Sequence, residues 1–191
     1  MVGHDVTRDS AIPLATGSRY SGASKACIIA HKERGARSLT APLGVLLAMA
    51  ITTLELGPAP GEHLVLVGIP PHRSSLQQRG ADTVELIARQ AARTLGASGQ
   101  PTIVRGGLRR QTDHGRHVGR SARDRRTAIL GSFAATADRG MRLREARIVI
   151  VDDVITTGAT AFEAVRALTT AGLQISGIAA VADTPLHQKS R

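Results

Sequence analysis

The sequence is poor in aromatic residues. Phe, Trp and Tyr make up 2% of 191 residues: Tyr20, Phe133, Phe162 and no tryptophan. Proteins that hold single-stranded nucleic acid commonly stack bases on aromatic rings, so this scarcity weighs against that role, although arginine can also stack. Cysteine is limited to Cys27, which excludes a disulfide framework and a thiolate zinc site. That fits a reducing, intracellular setting. The longest apolar run, near Leu43–Ile51, is far short of the roughly 18 residues a membrane helix needs. The opening MVGHDVTRDS has no apolar signal-peptide region. A soluble, cytoplasmic protein with no membrane partner is the expectation.

Positive charge is plentiful. Twenty-five Lys and Arg against 15 Asp and Glu give a formal net charge of +10. Such a surplus suits an anionic partner, either the phosphates of a small molecule or nucleic acid. The segment Arg105–Arg126 holds eight of the arginines (105, 109, 110, 116, 120, 123, 125 and 126) and two aspartates (113 and 124), a net +6. A polar stretch this long within a compact domain is usually functional or disordered. It is read here as a loop that closes over a reacting centre, with a solvated surface arm or a nucleic-acid contact as alternatives.

Residues 1–19 read as irregular. A helix is expected over Ser21–Arg34 with Ala26, Ile29 and Ala30 on its inner side, and a second from Pro42 to Leu54. Gly57-Pro58-Ala59-Pro60-Gly61 breaks the chain and divides a helical N-terminal hood, residues 1–60, from a main domain, residues 61–191. In the main domain His63–Val67 reads as a strand buried on both faces. Gly68–Gly80 reads as a loop. Val84, Ile87, Ala88, Ala91 and Leu95 share one helix face. Strands follow at Thr102–Val104, Ile129–Ala135, Arg147–Val151 and Ile175–Val181, with a helix over Ala159–Ala171. The order predicts an α/β fold with a mostly parallel sheet flanked by helices.

The most informative stretch is VDDVITTGAT, Val151–Thr160. Asp152 and Asp153 fall at the carboxyl end of a strand, where open α/β sheets bind ligands. Val154, Thr156, Thr157, Gly158, Ala159 and Thr160 lead from them into a helix N-terminus, whose unpaired N–H groups suit a phosphate. Two carboxylates beside a phosphate would repel it unless they face hydroxyls or a magnesium ion. The combination describes a phosphorylated ribose.

At these residues the sequence resembles the type I phosphoribosyltransferases, whose signature VIVDDVITTGAT matches position by position. The resemblance implies that Asp152 and Asp153 orient the ribose of phosphoribosyl pyrophosphate (PRPP), act at the catalytic centre, and hold Mg²⁺, directly or through water. It implies that residues 154–160 cradle the 5′-phosphate, and that the sheet is flavodoxin-like with a variable hood.

Over residues 20–183 the chain is similar to the ComF family of phosphoribosyltransferase-like proteins. The similarity runs through Ala30-His31-Lys32-Glu33-Arg34-Gly35, through Val67-Gly68-Ile69-Pro70-Pro71-His72 with Arg79-Gly80, and through Gly119–Arg125 with Gly131-Ser132-Phe133. The N-terminal zinc ribbon of many ComF proteins is missing. Where that family has F-N-Q after R-G, this chain has Ala81-Asp82-Thr83. His117 and Ala128 stand where the family has glutamine and asparagine. By the resemblance, Ile69, Pro70, His72, Arg73 and Arg79 would bind pyrophosphate, and Arg109, Arg110, Arg116, His117, Arg120 and Arg125 belong to the closing loop. The implied activity is transfer of ribose-5-phosphate from PRPP to a nucleobase-like acceptor with release of pyrophosphate, with a homodimer as one expected assembly. The alternatives are a non-catalytic PRPP or nucleotide sensor, and a protein associated with single-stranded DNA uptake.

Overall fold

A computed structural model describes residues 12–56, 63–111, 129–136 and 146–184. Seven strands and five helices occur among them. They are β1 (Leu14–Arg19), α1 (Gly22–Glu33), α2 (Thr40–Thr52), β2 (Leu64–Gly68), α3 (Arg73–Arg79), α4 (Thr83–Ala97), β3 (Thr102–Arg105), β4 (Leu108–Arg110), β5 (Phe133–Ala135), β6 (Arg147–Ile155), α5 (Ala159–Thr170) and β7 (Ile175–Asp183), with a 3-10 turn at Arg37–Leu39. Five strands form a wholly parallel sheet in the order β1-β7-β6-β2-β3. β4 and β5 make a separate antiparallel pair.

Strand periodicity explains the apolar runs. Successive side chains point to opposite faces, and both faces of this sheet are covered. Leu64, Leu66, Val149, Val151 and Val181 pack with α2 and α4 residues such as Leu47, Ile51, Ile87 and Leu95. Val65, Val67, Ile148, Ile150 and Ile178 face the other way, against Ala164, Leu168 and Phe133. A strand covered on both sides cannot alternate apolar with polar, so LVLV and IVIV run unbroken. The fold class is therefore the expected one, a parallel α/β sheet flanked by helices.

Several local expectations are corrected. Residues 14–19 are not irregular: they form the edge strand β1, parallel to β7. The segment LATGSR has little apolar character because side-chain hydrogen bonds help hold it. Thr16 Oγ1 donates to Asp183 Oδ1 (3.0 Å) and Ser18 Oγ donates to the Val181 carbonyl (3.0 Å). Gly17 is required by close packing, since a Cβ there would stand 2.3 Å from the Leu46 carbonyl oxygen. Residues 1–60 thus supply a sheet strand as well as two helices. Helix α1 buries Ile28 and His31, while Ala26 is exposed and Ile29 and Ala30 are half-buried. Gly68–Gly80 is not all loop, since it contains α3, ended by Gly80 at φ +67. The strand expected over Ile129–Ala135 is confined to Phe133–Ala135 and pairs with β4 outside the main sheet. Gly57–Gly61 lies outside the described residues.

The helix after β2 that reaches β3, α4, covers one face of the sheet. The helix after β6, α5, covers the other. The chain therefore turns in opposite directions from β2 and β6, which lie side by side. A crevice opens between their carboxyl ends, the place where ligands bind in open α/β sheets.

Candidate functional site

A cleft of about 430 Å³ occupies that crevice, bounded by the carboxyl ends of β2 and β6, by α1 and by α3. The last β2–β6 pairing joins Gly68 to Val151. Beyond it β6 continues beside β7 through Asp152, Asp153 and Val154 to Ile155. Both aspartates are therefore strand residues rather than loop residues, one step further inside the fold than the sequence suggested.

Adjacent strand residues face opposite ways, and the two carboxylates have different surroundings. Asp153 is buried and accepts a 2.6 Å charged hydrogen bond from Lys32 Nζ on α1. Asp152 accepts from the Asp153 backbone N–H at 2.8 Å. Asp152 is partly exposed and lines the cleft. Burial first, and the Asp153 carboxylate second, push the Asp152 pKa well above the ordinary value, against weaker opposing effects of the Asp153 N–H and Lys32. A carboxylate held at such a cost is one that a cation or a set of hydroxyl donors would stabilise.

The loop after β6 turns directly into α5. Gly158, the residue before the helix, has φ +74, a conformation that glycine adopts without strain. Thr156 and Thr157 are exposed, and Thr156, Thr160 and Val154 line the cleft. Gly158 and Ala159 are buried, and Thr157 Oγ1 accepts a long 3.5 Å bond from the Ala159 N–H. The loop thus presents hydroxyls and a helix N-terminus beside Asp152.

On the opposite wall, Ile69 N–H donates to the Val151 carbonyl at 3.0 Å, so the segment after β2 is tied to β6. Ile69, Pro70 and His72 line the cleft. Arg73, the first residue of α3, is exposed and does not line it. Arg110 does. Its Nε donates to the Pro70 carbonyl at 3.1 Å, and its guanidinium lies 4.7 Å from the centre of the buried Phe133 ring. Arg110 is therefore a fixture of β4, with its neighbour Arg109 exposed. Arg116, His117, Arg120 and Arg125 lie outside the described residues.

Arg79 lines the cleft from the end of α3, and its Nη2 donates to Glu33 Oε1 at 2.7 Å. Three cleft residues carry chemistry that the sequence reading did not assign to the site: Lys32, Glu33 and Tyr20. The signal for the first two was present in the AHKERG stretch, but nothing in the sequence shows that the end of α1 reaches β6.

Phe133 is held by Glu163 on α5, which is buried. Glu163 Oε1 accepts from the Gly131 and Phe133 N–H groups at 2.9 and 3.3 Å, and the carboxylate also takes Arg166 Nε at 2.7 Å. Burial alone would raise the Glu163 pKa. The Arg166 and backbone N–H bonds outweigh burial and hold it below the ordinary value.

No group of three or more His, Cys, Asp or Glu side chains suited to a metal occurs among the described residues. The Asp152–Asp153 pair is compatible with magnesium, which commonly takes one or two protein carboxylates and completes its shell with water and substrate oxygens. Asp153 is already engaged by Lys32, so Asp152 is the better placed of the two. No helix among the described residues is long and apolar enough to cross a membrane.

A wholly parallel sheet flanked by helices, with a crevice at its switch point, defines a class: open α/β proteins, which bind ligands at the strand ends. No protein-family description matches the sequence, and no curated protein matches it. Among solved structures, the chain is similar to a hypoxanthine phosphoribosyltransferase from Staphylococcus aureus at 15% identity and a TM-score of 0.37, covering 81% of this chain and 66% of that one. It is also similar to adenine phosphoribosyltransferases from Leishmania donovani (13% identity, TM-score 0.39, 82% and 57% covered) and Leishmania tarentolae (12%, 0.38, 82% and 75%). The chain spans less than two thirds of the length of the first two. These likenesses are distant, and the cleft's own residues decide what it can hold.

Proposed function

We propose that the chain is a phosphoribosyltransferase that takes PRPP with Mg²⁺ and transfers ribose-5-phosphate to a nucleobase-like acceptor. The observation that carries this reading is the meeting, in one cleft, of the Asp152 and Asp153 carboxylates with the Thr156–Thr160 loop and the start of α5. The loop hydroxyls and helix N–H groups would hold the 5′-phosphate. The Asp152 carboxylate would accept from the ribose hydroxyls and share a magnesium ion with substrate oxygens. Asp153, fixed by Lys32, would orient the sugar from the other side of the strand.

In the transfer, a lone pair on an acceptor nitrogen forms a bond to C1 of the ribose as the C1–O bond breaks, and that electron pair leaves with pyrophosphate. Positive charge develops on the sugar ring between the two events, so the negative carboxylates beside it stabilise the transition state more than the ground state. Ile69, Pro70 and His72, with Arg110 braced behind them, would position the pyrophosphate. Bound magnesium would offset the charge of the departing group. The site's contribution is positioning and electrostatics rather than a covalent step.

A second reading has one observation in its favour. Asp153, which would be the nearest candidate for a base toward the acceptor, is committed to Lys32, which suits a PRPP or nucleotide sensor without turnover. Calorimetric titration with PRPP and Mg²⁺, on the wild type and on an Asp152→Asn/Asp153→Asn double variant, tests both. Binding that the double variant loses, with pyrophosphate released when an acceptor is added, supports the enzyme. Binding without release supports the sensor. No binding at millimolar PRPP refutes both and leaves the nucleic-acid reading, which salt-dependent binding of single-stranded DNA would test.

A further inference from the structure

Part of the cleft lining, contributed by α1 and the end of α3, has no role in the phosphoribosyl reading. Tyr20, Ile28, Ile29 and Val84 also line the cleft. Two cations enter it, Lys32 from α1 and Arg79 from α3. Six residues separate Arg79 from Arg73 at the start of α3, which puts it about 9 Å along the helix from the segment assigned to pyrophosphate. By resemblance Arg79 belongs with the pyrophosphate residues, and its own contacts in the cleft suit a further anion.

Arg79 is incompletely satisfied. Its side chain is 18% exposed, and its Nε–H is buried with no hydrogen-bond partner among the described residues. Buried donors without partners are uncommon and cost stability. Guanidinium groups are built to be met by a carboxylate in a two-point fork. Here Nη2 meets a carboxylate, Glu33 Oε1 at 2.7 Å, while Nε meets none. Glu33 reaches in from the rim with its own side chain 53% exposed, so little holds this contact closed.

From this arrangement we propose that the α1–α3 part of the cleft is the acceptor subsite, and that the acceptor is a heterocycle carrying a carboxylate. Glu33 stands in for that carboxylate in the ligand-free protein. The acceptor displaces Glu33 and pairs with both Nε and Nη2 of Arg79, while its ring rests on Tyr20, Ile28, Ile29 and Val84. Lys32 is bridged to Asp153 and lines the same cleft as Arg79, and so ties acceptor binding to the ribose site. This assignment rests on the phosphoribosyltransferase reading and narrows its acceptor to acidic rings.

The test titrates the full chain with two matched pairs, orotate with uracil and nicotinate with nicotinamide, with and without PRPP and Mg²⁺. In at least one pair the acidic member binds about tenfold or more tightly than its neutral counterpart, the range expected of a hydrogen-bonded charge pair. Arg79→Gln removes that preference. Glu33→Gln strengthens acid binding, because the internal competitor is gone. Circular dichroism of both variants checks that they are folded, and Glu33→Gln alone suffices to refute the proposal if it leaves acid binding unchanged. Equal binding within both pairs, a preference that survives Arg79→Gln, or no acid binding up to about 10 mM also overturns it. If PRPP binds while the acids do not, only the acceptor assignment falls. If the acids show an Arg79-dependent preference while PRPP does not bind, the subsite stands and the phosphoribosyl reading falls.

Discussion

Replacing Lys32 with methionine removes the charged partner that Asp153 has among the described residues and keeps most of the side chain's length. The two groups are 2.6 Å apart. At an effective dielectric constant of about 20, two unit charges at that separation attract by about 6 kcal/mol before desolvation is counted. Desolvation and side-chain ordering cancel much of that attraction. What the variant exposes is the cost of leaving the Asp153 carboxylate, 5% exposed, without a counter-charge. Breaking a fully buried pair costs about 3–5 kcal/mol. Lys32 is 34% exposed, so solvent screens the pair and the expected loss falls to about 2–3 kcal/mol. In a domain of this size that is a drop in melting temperature of about 4–12 °C. Urea denaturation followed by circular dichroism measures it, and an unchanged slope would show that the unfolded state is not involved. The double variant Lys32→Met/Asp153→Asn should recover at least half of the loss, since the stranded charge is gone. A loss below about 0.5 kcal/mol in the single variant, the size of an ordinary surface substitution, would refute the idea that Lys32 neutralises Asp153.

Three further outcomes follow from the same structure. The Asp152 pKa is raised above 3.8 by folding, so the folded state holds a proton that the unfolded state has released, and stability falls as pH climbs from about 3.8 through the folded value. Asp152→Asn should therefore melt higher than the wild type at pH 7, with the gap closing toward pH 4, while PRPP affinity drops; a gap independent of pH would contradict this. His31 is buried, bonded through Nε2 to Thr40 Oγ1 at 2.9 Å, and its pKa is lowered from 6.5 by burial and then by Arg37. The unfolded chain takes up that proton first, so stability should fall as pH drops below 6.5, and thermal melts of His31→Gln should show a flatter profile between pH 7 and about pH 5. Glu163→Gln weakens the four hydrogen bonds at a buried carboxylate and should cost about 1–3 kcal/mol, with faster amide exchange at Gly131 and Phe133.

What could be read from the sequence, and what could not, divides along physical lines. β2, β6 and β7 were legible because doubly buried strands must be apolar throughout. α4 was legible because its buried face repeats with helical spacing. The phosphate-type loop was legible because residue chemistry and spacing alone define it. β1 was hidden because an edge strand held by Thr16 and Ser18 hydrogen bonds needs no apolar pattern. The buried face of α1 was misplaced because Ile29, which looks like core, lines the cleft instead. Arg110 was assigned to a moving loop because a three-residue strand pair leaves almost no periodicity to detect. The Lys32–Asp153 and Arg79–Glu33 pairs join parts of the chain that only the fold brings together.

The edge strand β1 has a consequence for how the chain is made. Among the described residues its one neighbour in the sheet is β7, and the Thr16–Asp183 bond spans 167 positions of sequence. Synthesis proceeds from the N-terminus, and long-range parallel pairing is slow because a large loop must close before any contact repays it. β1 therefore leaves the ribosome well before β7 and waits, without that partner, until the intervening chain has followed. Its short length and its polar side chains, Thr16, Ser18 and Arg19, suit that wait, because they make a poor template for another chain's strand. The residues that hid β1 from a pattern search are the ones that keep it safe from aggregation until its partner arrives.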